Sequence, residues 1–124
     1  MFRRARSARD SGFRIVDFVS PSGRSPIRVL LSTLDDEALA RAHALFTVLA
    51  ERGPGLRAPH SKSLGDGLFE LRDPATGIRI FYVFETGRRI VLLDGIVKKR
   101  RDIPARVMER LRGLQAALRH DHRR

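Results

Sequence analysis

Gly67-Leu-Phe-Glu-Leu-Arg72, Ile78-Arg-Ile-Phe-Tyr-Val-Phe84 and Ile90-Val-Leu-Leu-Asp-Gly-Ile-Val-Lys-Lys99 follow one another with only short connections, and together they predict three consecutive antiparallel strands. Asp73-Pro74-Ala75-Thr76-Gly77 joins the first two and Glu85-Thr86-Gly87-Arg88 the last two. Both have the Pro and Gly chemistry of hairpin turns. Period-two alternation then puts Phe69 and Leu71 on one face of the first strand, with Leu68, Glu70 and Arg72 on the other. In the second strand Arg79 is the one charge inside an apolar run, sharing a face with Phe81 and Val83 while Ile78, Ile80, Tyr82 and Phe84 point the opposite way. A lone guanidinium is expensive to bury unless an anion meets it.

With 124 residues and 42% hydrophobic content, the chain can build one core and not two. Lys plus Arg number 25 against 14 Asp plus Glu, a net charge of +11. Self-repulsion of that size favours a polyanionic or acidic partner over charge kept only for solubility. Cysteine is absent, so neither a disulfide frame nor a thiolate metal site can form, and a cytoplasmic location is expected. No apolar run approaches the ~18 residues of a membrane span, and Phe2-Arg3-Arg4-Ala5-Arg6 is not followed by a signal-type apolar segment, so no membrane association is expected. Only Lys62, Lys98 and Lys99 are lysines; every other cation is arginine. In such a chain a lysine can mark a place where an ammonium of tunable pKa is needed, or it can be drift.

Residues 1–12 are rich in arginine and lack periodicity, which reads as a flexible basic tail ahead of a single domain spanning 13–119, with 120–124 as a second tail. Phe13 to Val19 has strand propensity and is expected at the edge of the meander. A short helix is expected from Pro26, with Ser25 as N-cap and Pro at N1. A long helix follows from about Asp35 to Arg52, where Leu39, Ala42, Leu45, Phe46 and Leu49 form an apolar stripe and Gly53-Pro54 ends it. The stretch Gly55 to Asp66 reads as a long, basic loop that delivers His60 and Lys62 just ahead of the meander. Asp102-Ile103-Pro104 starts a last helix with the stripe Val107, Met108, Leu111, Leu114 and Leu118. His43, His120 and His122 show no metal-ligand spacing worth a site.

There is no Gly-rich phosphate loop, Ser-His-Asp arrangement or paired-carboxylate signature. Any enzymatic chemistry must therefore run on cations, one tyrosine and His60. Such a set can cleave RNA without a metal, by removing the 2′-hydroxyl proton and stabilising charge on the phosphoryl oxygens. Other readings of the same residues stay open. Arg72 and Arg79 could pair with Glu70, Asp73 or Glu85; Tyr82 could be core; and Lys98 to Arg101 could be a solvated stretch.

Pro26 to Leu34, Gly67 to Arg72, Arg79-Ile-Phe-Tyr82, Ile90 to Gly95, and Lys98-Lys99 followed by Ile103-Pro104 resemble, in order and spacing, the HigB-like branch of the RelE/ParE toxin superfamily. The resemblance runs from about Phe13 to Leu118. It implies an α+β fold: a small antiparallel RelE-like sheet, made of a three-strand C-terminal meander plus an N-terminal strand, packed against N-terminal helices and followed by a C-terminal helix. It also implies the toxin of a type II toxin–antitoxin pair, a ribosome-dependent mRNA endoribonuclease that needs no cofactor. Its partners would be the ribosome, mRNA and a cognate HigA-like helix-turn-helix antitoxin, with operator DNA reached only through the antitoxin complex.

Carried over by position, the catalytic set implied is Lys62, Arg72, Arg79, Tyr82, Lys98 and Lys99, with His60, Arg100 and Arg101 as further RNA contacts. Arg72 and Arg79 would hold the scissile phosphate, Tyr82 would stack on a base or orient the nucleophile, and the double lysine would contact phosphate or transfer a proton. One departure stands out. The family often places His-Gly-Phe or His-Ala-Phe before the double lysine, and here the residues are Asp94-Gly95-Ile96. An acid there could dampen the basic pocket, orient a lysine or be solvated. Two alternatives lie outside RNA cleavage: a ParE-like inhibitor of DNA gyrase, and a non-catalytic module that binds RNA or an antitoxin.

Overall fold

In the computed structural model, residues 12–98 and 102–122 are described. They form five strands and three α-helices in the order β1 (Arg14–Asp17), α1 (Pro26–Ser32), α2 (Asp36–Arg52), β2 (Ser61–Gly65), β3 (Leu68–Asp73), β4 (Ile78–Glu85), β5 (Arg89–Val97) and α3 (Ala105–His122). Local chemistry sets the helix starts as expected. Ser25 Oγ accepts the Arg28 N–H at 3.2 Å with Pro26 at the first position, and Asp35 Oδ1 accepts the Ala38 N–H at 2.8 Å. Helix α2 stops at Gly53, whose φ of +50° suits a residue without Cβ. The ring of Phe13 fills the space beside it, so close that an added Cβ would lie 2.3 Å from Cε1. Helix α3 runs through His122, past the boundary at 119 where the sequence suggested a tail. The basic segment 1–11 lies outside the described residues.

The strands make one sheet in the order β1-β5-β4-β3-β2, with β1 parallel to β5 and every other pair antiparallel. The three-strand meander and its N-terminal edge strand are where the sequence put them. The stretch read as a loop from Gly55 to Asp66 is not all loop: Ser61–Gly65 is a fifth strand pairing with β3. Ser-Lys-Ser-Leu-Gly has little β propensity, so this strand is held by the ladder to its neighbour and not by its own composition.

The length suggested one core and not two, but alternation in β3 and β4 buries apolar residues on both faces, and the sheet divides them into two clusters, each covered by its own helices. The first face packs Leu71, Ile80, Tyr82 and Leu92 against Ile27 of α1 and Ala42, Leu45 and Leu49 of α2. The second packs Leu68, Phe81, Val83 and Leu93 against Val107 and Leu111 of α3. Polar ties fix the helices to the sheet. Arg41 of α2 grips Asp73 with two hydrogen bonds of 2.7 and 3.1 Å at the β3–β4 turn. On the other face Arg112 of α3 donates to the carbonyls of Leu64 and Gly65, both at 3.0 Å, and Gln115 Nε2 donates to Asp66 O at 2.6 Å. Among the described residues no helix is long and apolar enough to cross a membrane.

Candidate nucleic-acid interface

The α3 face of the sheet carries a row of cations where β3 ends and β4 begins. Arg72 and Arg79 are direct cross-strand partners, and Lys62 on β2 stands opposite Glu70. Directly opposed residues share a face with Cβ atoms about 5 Å apart, and diagonal ones about 7–8 Å. Lys62 and Arg72 are therefore diagonal neighbours on one surface. Lys98 lies one residue past β5, tied down by its N–H, which donates to Gly77 O at 2.7 Å. It follows Ile96, the cross-strand partner of Arg79, by two positions. Lys62 is exposed while Arg72 and Lys98 are half-buried. Five ion pairs are formed among the described residues, and none includes Lys62, Arg72 or Lys98. Three cations are thus presented uncompensated from neighbouring strand positions.

Arg79 behaves differently. It is only 4% exposed, and its Nε donates to Oε2 of Glu70, itself fully buried. Its Nη1 reaches the carbonyl of Asp102, just ahead of α3, at 3.5 Å. The anion that a buried guanidinium requires is therefore the neighbour on the adjacent strand. This is an internal ion pair and not a surface bridge. Among the described residues Oε1 of Glu70 has no hydrogen-bond partner.

Tyr82 is not brought to this row. It lies on the opposite face, 1% exposed, stacked on Phe69 at 5.6 Å with 21° between the rings. Its hydroxyl is 2.7 Å from Ser61 Oγ. Burial pushes the phenol pKa up, and the bond to Ser61 opposes that shift. His60 is exposed in the turn before β2, and its carbonyl accepts the Arg72 N–H at 2.9 Å. Lys99, Arg100 and Arg101 lie outside the described residues.

Asp94 pairs with α3 and with no lysine among the described residues. Oδ1 accepts its neighbour Gly95 N–H at 2.7 Å and Oδ2 accepts Arg110 Nε at 2.8 Å, so this carboxylate fastens α3 to β5. Sequence reasoning also missed Ser61, Arg112 and Gln115, whose partners are set by strand pairing and helix docking. Glu70 had one legible signal: alternation put it on the Arg79 face.

Two open grooves of about 480 and 510 Å³ lie elsewhere, one beside Phe84 and Leu118 and the other between α1 and α3. Neither is lined by Lys62, Arg72 or Lys98. A small molecule is usually taken into a concave pocket, whereas an open row of unpaired cations matches the backbone of an extended polyanion.

A family model described as phage derived protein Gp49-like matches residues 30–114. Among solved structures the chain is similar to a chain of the toxin–antitoxin complex RelBE2 from Mycobacterium tuberculosis. The identity is 20%, the match covers 70% of this chain and 99% of that one, and the TM-score is 0.51. At that identity the likeness is one of fold, and the five-strand, mostly antiparallel sheet with a C-terminal helix is RelE-like. No curated protein matches the chain significantly.

Proposed function

The chain belongs to the Gp49-like family of phage-derived proteins, and we propose that it is the toxin of a type II toxin–antitoxin pair, a HigB-like mRNA endoribonuclease that cuts on the ribosome. The observation that carries this reading is the row Lys62, Arg72 and Lys98, without ion pairs among the described residues, on one surface of the sheet of a chain with net charge +11. The fold likeness to a chain of a toxin–antitoxin complex supports it. The partners follow from the same reading: the ribosome, mRNA and a cognate HigA-like antitoxin that reaches operator DNA, all in the cytoplasm.

In this mechanism Arg72 and the lysines hold the phosphate that will be cut. A lysine, unlike an arginine, can take part in proton transfer, so Lys62 or Lys98 is the candidate to take the 2′-hydroxyl proton. The 2′-oxygen attacks the adjacent phosphorus in line, the bond to the 5′-oxygen breaks, and that oxygen leaves with a proton from a second ammonium. The products are a 2′,3′-cyclic phosphate and a free 5′-hydroxyl. Lys99, Arg100 and Arg101 extend the basic run beyond Lys98 in sequence and add phosphate contacts. Charge building on the phosphoryl oxygens is stabilised by fixed cations, each worth about 10²–10³ in rate.

The test is primer extension on a defined mRNA in a cell-free translation reaction, with wild type and Arg72→Ala. Cuts spaced in codon phase, absent without ribosomes and weakened about 10²-fold in the variant, are expected. An intact message with folded protein overturns the reading, and inhibition of gyrase supercoiling by the same sample would put a topoisomerase-directed toxin in its place.

A further inference from the structure

Two arginines directly opposite each other on neighbouring strands repel, and such pairs destabilise a sheet. Arg72 and Arg79 stand in that relation. What makes it tolerable is Glu70, two residues before Arg72 on the same strand, which binds the buried Arg79 guanidinium and leaves Arg72 half-buried and without an ion pair among the described residues. Glu70 is also directly opposite Lys62. The two members of the buried pair thus stand opposite Lys62 and Arg72 in the cross-strand register.

We propose that Glu70 and Arg79 form a charge-balanced floor that positions Arg72 and Lys62 as the phosphate contacts, and that Arg79 itself does not touch RNA. The floor is neutral in sum, but its cationic member stands directly opposite Arg72 on the next strand. A guanidinium there pushes the Arg72 side chain off the sheet toward the side from which a phosphate arrives. An Arg79 4% exposed and bonded to a fully buried carboxylate could reach a phosphate only by abandoning Glu70, and an uncompensated buried carboxylate is strongly unfavourable. Glu70 Oε1, already without a partner among the described residues, makes that loss worse. The proposal rests on the RNA-cleaving reading for its functional consequence and on burial and register for the rest.

The single change Arg79→Ala is a poor test, because it strands Glu70 and threatens the fold. Replacing both partners, Glu70→Met with Arg79→Met, keeps the volume apolar and preserves folding, since buried ion pairs are often exchanged for hydrophobic residues at no loss. Binding of an uncleavable 2′-O-methyl single-stranded RNA is measured against salt concentration. Each phosphate contact contributes roughly 0.7 to the slope of log K against log salt on a single strand. Lys62→Ala and Arg72→Ala are each expected to lower the slope by about 0.7, and the double Met variant to leave it unchanged. On ribosome-bound message the double variant is expected to keep KM within about twofold and to lose at least about tenfold in kcat, because the contacts remain but their placement is lost.

A slope lower by about 0.7 or a raised KM in the double variant overturns the proposal, since Arg79 would then be a phosphate ligand. An unchanged kcat also overturns it, reducing the pair to packing. In the wild type, where no variant need fold, the NMR signal of the Arg79 Nε–H is expected to stay put when the 2′-O-methyl RNA is added, and a shift like that of Arg72 refutes the floor. If the wild type cuts no message, the endoribonuclease reading falls, while slope and NMR signal still decide whether Arg79 contacts RNA.

Discussion

Ser61 Oγ and Tyr82 Oη lie 2.7 Å apart beneath the sheet, so the edge strand β2 is fastened to β4 across the strand between them. Both residues are buried on the face covered by α1 and α2, while the cations of the neighbouring positions, Lys62 and Arg79, take the other face. One hydroxyl pair therefore helps hold the strand that presents Lys62.

Tyr82→Phe removes one member of this pair and leaves the Ser61 hydroxyl buried without it. Unfolding in urea is expected to show a loss of about 1 kcal/mol, the usual net value of a neutral hydrogen bond. Because Tyr82 is separated from Lys62, Arg72 and Lys98 by the sheet, the rate of message cleavage is expected to change less than threefold or so, far below the ~10² of a removed catalytic group. A hundredfold loss in a stably folded variant would return the tyrosine to the site.

Asp73 joins α2 to the β3–β4 turn, and hydrogen bonds from Arg41 hold its carboxyl pKa down from the ordinary 3.8 to about 2, a fall that burial opposes and a bond from Thr76 assists. A carboxylate whose folded pKa lies below its unfolded value stabilises the fold fully above the unfolded value and loses that contribution as pH drops through the folded one. The window is therefore from about pH 4 down to about pH 2. Wild-type stability is expected to fall across it, and Asp73→Asn is expected to be less stable at pH 7 and flatter over the same range. Thermal melts at half-unit pH steps read both. Parallel curves for the two proteins would rule out this contribution.

At Gly95 an added Cβ would lie 2.5 Å from Leu30 Cδ2 and 3.0 Å from the carbonyl oxygen of Arg79. The Leu30 side chain stands in the way and the β4 backbone cannot yield, so Gly95→Ala is expected to push α1 off the sheet and cost about 1–3 kcal/mol, as overpacking does. Chemical denaturation measures it. A neutral outcome would mean that α1 shifts freely at this point.

The parts of this fold that were legible in the sequence are those fixed by local chemistry. Ser25, Pro26 and Asp35 announce helix starts, Gly53 a helix end, and the alternation through Arg79 the two faces of β4. Strand β2 was illegible because Ser-Lys-Ser-Leu-Gly carries no apolar alternation and exists by pairing with β3. Of the proposed site, the cations Lys62, Arg72 and Lys98 are named by residue type and position alone. The division of labour among them was not, since Arg79 has the same chemistry as Arg72. Glu70, Asp73 and Glu85 were all open as partners, and it took the register, which sets Glu70 opposite Phe81, and the bond from Arg79 Nε to single out Glu70. Asp94 likewise acquired its partner, Arg110, from the docking of α3.

Arg112 sits on the side of α3 that faces the β2–β3 turn, donating from Nη1 to Gly65 O and from Nη2 to Leu64 O, each at 3.0 Å, with Nη1 also held by Gln115 Oε1 at 3.0 Å. Its planar fork can meet two successive carbonyls at once, which a lysine cannot. Arg112→Lys is therefore expected to loosen the turn nearly as much as Arg112→Ala. Hydrogen exchange at 61–66 should quicken in both while β4 and β5 keep their protection, because those strands are paired on both sides and β2 on one. Lys62 lies in the loosened strand, so the cleavage rate should fall in both variants without a matching fall in global stability. Exchange that quickens uniformly over the sheet would show instead that Arg112 contributes to the core as a whole, and full protection in the lysine variant would show that its charge, and not its fork, holds the turn.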